Sequence, residues 1–77
     1  MSVKPDKVVD LRGYYCPEPI FRATQEIDLM KTGQVLEVLA DDPAAEADFD
    51  RWTKRTGNPL LEVRKEGRVF HFMVKKG

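Results

Sequence analysis

Three features of this 77-residue chain predict an α+β two-layer sandwich, βαβαββ, with two helices packed on one face of a four-stranded mixed sheet. Two stretches with apolar residues at helical spacing alternate with two short strand-like runs. Two further alternating runs, joined by Glu66-Gly67, form a hairpin at the C-terminal end. Right-handed crossovers between parallel strands then place both helices on the same side of the sheet. The length suits one small domain, residues 1–77, near the lower limit for a self-sufficient core.

Taken in order, residues 1–6 with Pro5 read as a frayed polar start. Lys7 to Leu11 is a short strand carrying Val8 and Val9, stopped at Arg12-Gly13. Ile20 to Lys31 reads as a helix with Ile20, Ala23, Thr24, Ile27 and Met30 on one face, widened by Phe21 and Leu29, with Gly33 as its C′ residue. Gln34 to Ala40 is almost wholly apolar, as a central strand should be. Asp42 as N-cap and Pro43 as first residue start a second helix, in which Ala45, Phe49, Trp52 and Thr56 recur and which Gly57 closes. Trp52 at that period reads as core. The acids Asp41, Asp42, Glu46, Asp48 and Asp50 read as residues favoured by the helix dipole, rather than as a cation site.

Leu60 to Lys65 and Arg68 to Val74 are the hairpin strands, and Lys75-Lys76-Gly77 is a basic tail. On the last strand Phe70, Phe72 and Val74 share one face, and Val69, His71 and Met73 the other. His71 therefore reads as a half-exposed strand residue and not as a base for a distant nucleophile. The sheet face without helices draws on Val35, Leu39, Leu60, Val69 and Met73, so an exposed apolar patch, suited to a partner, is expected there.

Composition narrows the function classes. Thirteen basic and thirteen acidic residues cancel, which disfavours a general nucleic-acid clamp or an acidic-lipid binder. No apolar run approaches the ~20 residues of a membrane span, and Met1 to Lys7 has no hydrophobic signal core. One cysteine cannot form an internal disulfide, and one Cys with one His cannot complete a four-ligand zinc site. A reducing, cytoplasmic setting without metal or cofactor is the expectation.

The stretch that carries chemistry is Gly13-Tyr14-Tyr15-Cys16-Pro17-Glu18-Pro19, at the turn from the first strand to the first helix. The residue before a proline is pushed out of the helical region, so Cys16 belongs at or just outside the helix start. Pro17 and Pro19 fall in the first turn, where a missing N–H costs nothing. The same prolines, with Glu18, make the turn unsuited to holding phosphate, which needs free N–H donors. The helix dipole would favour a thiolate, so an accessible Cys16 with a pKa below the ~8.5 of a free thiol is expected. The plainer reading, a lone cysteine as a small buried hydrophobe, fits a proline-fixed helix start less well.

With these residues in hand, the chain resembles the TusA/SirA family of small sulfur carriers from Val9 to Val74. Asp10-Leu11-Arg12-Gly13 is similar to the family's first strand, and Cys16-Pro17-Glu18-Pro19 to its C-P-x-P signature. Gly33 to Val38, Asp42-Pro43 with Asp48-Phe49 and Trp52, and Thr56-Gly57 resemble its downstream segments. Tyr14-Tyr15 and Asn58 depart from the residues common there. The resemblance implies a βαβαββ carrier whose Cys16 accepts sulfane sulfur as a persulfide, framed by Pro17, Pro19 and Gly13. A cysteine desulfurase or rhodanese would be the donor, and a DsrE-like protein or a thiolase the acceptor. The sulfur would go on to tRNA thiolation, molybdenum cofactor supply or sulfur metabolism. Tyr14, Tyr15, Glu18 and Arg22 would surround the sulfur and meet the docked protein.

Two other classes stay open on the residues alone. A single-cysteine redox protein would need a dedicated base or a resolving cysteine. A nucleic-acid or regulatory module is suggested by the similar fold of the C-terminal domain of translation initiation factor 3, but fold alone is a weak guide.

Overall fold

The computed structural model describes residues 4–77. The elements run β1 (Lys7–Asp10), α1 (Glu18–Asp28), β2 (Val35–Ala40), α2 (Ala45–Thr56), β3 (Leu60–Glu66) and β4 (Val69–Lys75). The sheet order is β1-β2-β4-β3, with β1 parallel to β2 and the other pairs antiparallel. This is the expected α+β architecture with a mixed four-stranded sheet.

Period-two alternation decides which face of each strand is buried. Leu36, Val38 and Ala40 of β2 and Phe70, Phe72 and Val74 of β4 point to the helices, where Ala23 and Ile27 of α1 and Ala45, Phe49 and Trp52 of α2 meet them. Phe49 stacks on Phe72 at 4.5 Å between ring centroids, and Trp52 meets Phe49 edge-on at 5.5 Å. Both arrangements are favoured by the ring quadrupoles. Trp52 is a core residue, as its spacing indicates.

Several boundaries differ from the sequence expectation. Helix α1 begins at Glu18 and ends at Asp28, short of Lys31. The Leu29 and Met30 N–H groups close tight bonds to the Glu26 and Ile27 carbonyls, and the Lys31 N–H goes to the Gln34 side chain. Gly33 thus serves the turn into β2, several residues past the helix end. Leu29, at 78% exposure, and Phe21, at 57%, do not widen the buried face. Helix α2 starts at Ala45, with Ala44 as N-cap, while Asp42 sits two residues earlier and accepts the Ala44 N–H through Oδ1 at 3.1 Å. Gly57 closes α2 in the left-handed region (φ 76°), donating to the Thr53 carbonyl at 3.0 Å. Thr53, not Thr56, is the buried threonine. The hairpin turns at Gly67-Arg68, one residue later than expected.

Asp6 and the last three residues are held by hydrogen bonds to neighbouring strands and loops. Residues 1–3 lie outside the described residues. The Asp6 N–H donates to the Val35 carbonyl and the Val35 N–H donates to the Asp6 carboxylate, each at 2.8 Å. At the other end Lys75 and Lys76 bond to Pro59 and Gln34, and the Gly77 N–H donates to the Asn58 side chain at 2.8 Å. Asn58 also donates to Thr56 Oγ1 at 3.0 Å. Its buried side chain therefore brackets the last strand, which accounts for an amide at that place.

The face without helices is not an apolar patch. A register shift between Leu60 and Glu62 turns Leu60 toward the core, where it packs against the helix side, opposite Val74. Val35 and Met73 are buried, and the cross-strand neighbours of Met73 are Glu37 and Glu62. Around them His71 Nδ1 lies 2.8 Å from Glu37 Oε2, and Arg64 pairs with Glu66 at 2.8 Å. Glu37, Glu62, Arg64 and Glu66 thus interrupt the apolar residues of this face.

Candidate functional site

Because β1 and β2 are parallel neighbours, their C-terminal ends open side by side. The loop after β1 carries Gly13 to Pro17, and the loop after β2 carries Asp41 and Asp42. The two loops are bonded together. The Gly13 N–H donates to Asp41 Oδ1 at 2.9 Å, and the Cys16 N–H to Asp42 Oδ2 at 2.8 Å. Gly13 has φ 89°, a conformation that costs a side-chain-bearing residue energy and glycine none. Asp42 is only 7% exposed, so its carboxylate is satisfied by the Cys16 and Ala44 N–H groups rather than by water. Charge-assisted bonds of this kind contribute about 1.5–3 kcal/mol each.

The cysteine itself stands in a series of tight turns. The Tyr14 N–H reaches the Leu11 carbonyl at 3.3 Å and the Glu18 N–H the Tyr15 carbonyl at 2.9 Å. Pro17 is the N-cap of α1, and its carbonyl accepts the Phe21 N–H at 3.2 Å. The Cys16–Pro17 peptide is cis. Pro19 is buried beneath the first turn of α1. Cys16 is exposed and free, just before the helix, where the sequence places it.

A shallow groove of about 250 Å³ runs from the thiol between the helices. Pro17, Ile20 and Phe21 line one side, and Asp48, Arg51 and Arg55 of α2 the other, with Trp52 among the lining residues. Asp48 is largely enclosed, its side chain 13% exposed, and pairs with Arg51 at 2.5 Å. A larger hollow of about 570 Å³ adjoins the loop at Tyr15 and is lined in part by Asp41, Lys65 and Arg68. The thiol does not open into it, so the chemistry belongs to the smaller groove.

One expectation is corrected at this point. The thiol pKa is raised, not lowered. Hydrogen bonding to Asp48 is the leading cause, followed by desolvation and by the negative charges of Asp48 and Asp42; Arg51 pulls the other way. The dipole argument fails because the helix starts only at Glu18, its N-cap Pro17 and first-turn Pro19 offer no N–H donors, and the Asp48 carboxylate lines the groove with the sulfur.

The expected surrounding residues divide. Arg22 lies over the Tyr14 ring, 4.2 Å from its centroid, and pairs with Glu18 at 3.3 Å, which gives Tyr14 a fixed, half-buried place. Tyr15 projects, 70% exposed. His71 bonds Glu37 on the far sheet face and is not among the groove residues. Asp41, Asp42, Asp48, Arg51 and Phe21 were not singled out at this site by sequence reasoning. The available signal was topological: parallel neighbours bring the loop after each strand together, so acids ending β2 must meet the loop ending β1.

The family model described as Sulfurtransferase TusA matches residues 7–76. The Sulfur carrier protein TusA of Allochromatium vinosum is 48% identical over 71 residues, covering 92% of this chain and 93% of that protein. The crystal structure of a SirA-like protein from Desulfitobacterium hafniense superposes with a TM-score of 0.79 at 25% identity, covering 92% of this chain and 97% of that one. A match spanning nearly every element, from β1 to the end of β4, means that this chain belongs to the TusA family of sulfurtransferases.

Proposed function

We propose that this protein is a sulfur carrier that holds sulfane sulfur as a persulfide on Cys16 and relays it between a donor and an acceptor protein. The observation that carries this reading is an exposed, sole cysteine at the end of an open groove. The family membership and the relative named as a sulfur carrier support it. Residues 1–77 are read as one such carrier domain.

In the loading step the Cys16 sulfur attacks the outer sulfur of a donor persulfide. A new S–S bond forms on Cys16, the donor's S–S bond breaks, and the proton that Cys16 gives up is balanced by one taken by the departing donor thiol. The acceptor's thiol then attacks the outer sulfur of the Cys16 persulfide in the same way. No net oxidant or reductant is consumed. An open groove suits this, since both partners must bring a sulfur to the same atom. A cysteine desulfurase or rhodanese as donor, and a DsrE-like protein or thiolase as acceptor, would each meet these requirements in a cytoplasmic setting. Among the described residues no helix is long and apolar enough to cross a membrane.

The test is a chase. Labelled sulfur from cysteine, passed through a desulfurase, should appear on this protein and leave it when an acceptor thiol protein is added. Label that never leaves would make Cys16 a dead end and refute the relay.

A further inference from the structure

Transfer requires a thiolate, yet the surroundings of Cys16 hold its proton on. Asp48 lines the same groove as the Cys16 thiol and pairs there with Arg51 at 2.5 Å, and Asp42 is held by the Cys16 and Ala44 N–H groups; the charges of both carboxylates favour the protonated thiol. The Arg51 guanidinium offsets part of the Asp48 charge and so works against that restraint. We propose that Asp48 is a positioning residue that keeps Cys16 slow to react in the free carrier, and that Arg51 and the cationic face of a docked donor relieve this restraint.

The groups facing the sulfur assign the effect to this pair. Helix α2 contributes Asp48, Arg51 and Arg55 to the groove. Helix α1 contributes the uncharged Ile20 and Phe21, while its nearby charges, Glu18 and Arg22, are paired with one another. The loop after β2 contributes Asp42, whose bond to the Cys16 backbone makes it part of the loop's structure. Asp41 is engaged with the Gly13 N–H. Asp48 is thus the acid next to the thiol whose partner is an exposed and displaceable side chain; Arg51 is 69% exposed. A donor presenting a lysine or arginine to Asp48 would neutralise it and release the thiolate only within the docked complex. An exposed carrier cysteine would gain protection from alkylation and peroxide without a covering lid.

The inference rests on the carrier reading for its purpose, but its test does not. Alkylation of the full chain by iodoacetamide is followed against pH, with no donor present. Asp48→Asn should lower the midpoint and speed alkylation at neutral pH roughly tenfold. Arg51→Gln should move the midpoint up, and Asp48→Glu should restore the wild-type profile. Asp50→Asn, which removes an acid engaged with Lys54 on the same helix, should leave it in place. A midpoint unmoved in Asp48→Asn would overturn the assignment. Should that variant not fold, an unmoved midpoint in Arg51→Gln, at an exposed position, would do the same. Loading by a desulfurase is measured separately on the same variants. A chain that takes sulfur from no donor would refute the carrier reading while the alkylation profile still decides the role of Asp48.

Discussion

The Cys16 N–H and the Asp42 carboxylate, 26 residues apart in the chain, are joined by a 2.8 Å hydrogen bond. The other carboxylate oxygen accepts the Ala44 N–H, so one buried side chain fixes both the approach to α2 and the loop that presents the sulfur. The site is a product of sheet topology as much as of its own motif.

Replacing Asp42 by Ala should therefore act on both. Two N–H groups lose their acceptor in a buried place, at a cost of about 2–4 kcal/mol. Urea denaturation should show that loss, and sulfur loading at temperatures where the variant is still folded should fall as well. A variant as stable as wild type would mean that water replaces the carboxylate without penalty.

The fold was legible wherever a residue's neighbours in sequence decide its fate. Val9, the Leu36-Val38-Ala40 alternation and the Ala45-Phe49-Trp52 spacing name their own elements. The Cys16-Pro17-Glu18-Pro19 turn names the helix start. What could not be read locally depends on pairing across the sheet. Asp42 before Pro43 looks like a helix cap, and only the parallel register of β1 and β2 shows that it also holds Cys16. The uncovered sheet face looked apolar because the register shift at Leu60/Glu62 and the charged cross-strand neighbours of Met73 leave no mark in a strand's own alternation. The thiol's acidity went the wrong way for the same reason: the dipole is local, but Asp48 arrives from another helix.

Phe49 tests the core. It is fully buried, stacked on Phe72 and abutted by Trp52. Phe49→Ala should cost about 3–5 kcal/mol, most of the stability of so small a domain. Its circular dichroism should show a largely unfolded chain or a transition shifted far downward.

Phe21 separates docking from folding. At 57% exposure on the groove edge, its replacement by Ser should leave the denaturation midpoint unchanged within about 0.5 kcal/mol. The donor concentration for half-maximal loading should rise about 5–30-fold, as for an apolar anchor at an interface. Unchanged loading would remove Phe21 from the docking surface, leaving Tyr15 as the nearest exposed apolar group.

Acid titration has a defined sign at Asp10. Hydrogen bonds from the Arg12 side chain and N–H, the former at 2.7 and 2.9 Å, hold its carboxyl down at about 2, from 3.8. A depressed carboxyl contributes stability above its unfolded pKa, and that contribution is lost as pH falls from about 4 through about 2. Because the pair is solvent-exposed the energetic effect is small, and the carboxyl chemical shift is the better readout. Its midpoint should lie near 2 and rise toward 3.8 in Arg12→Ala.

The central claim is that Cys16 is the atom on which sulfur travels, and the intact mass of the protein tests it most directly. Incubation with a cysteine desulfurase and cysteine should add one sulfur, ~32 Da, in a form that dithiothreitol removes. The Cys16→Ala protein should gain nothing under the same conditions. A sulfur adduct on Cys16→Ala, or none on the wild-type protein with competent desulfurase and rhodanese donors, would contradict the account.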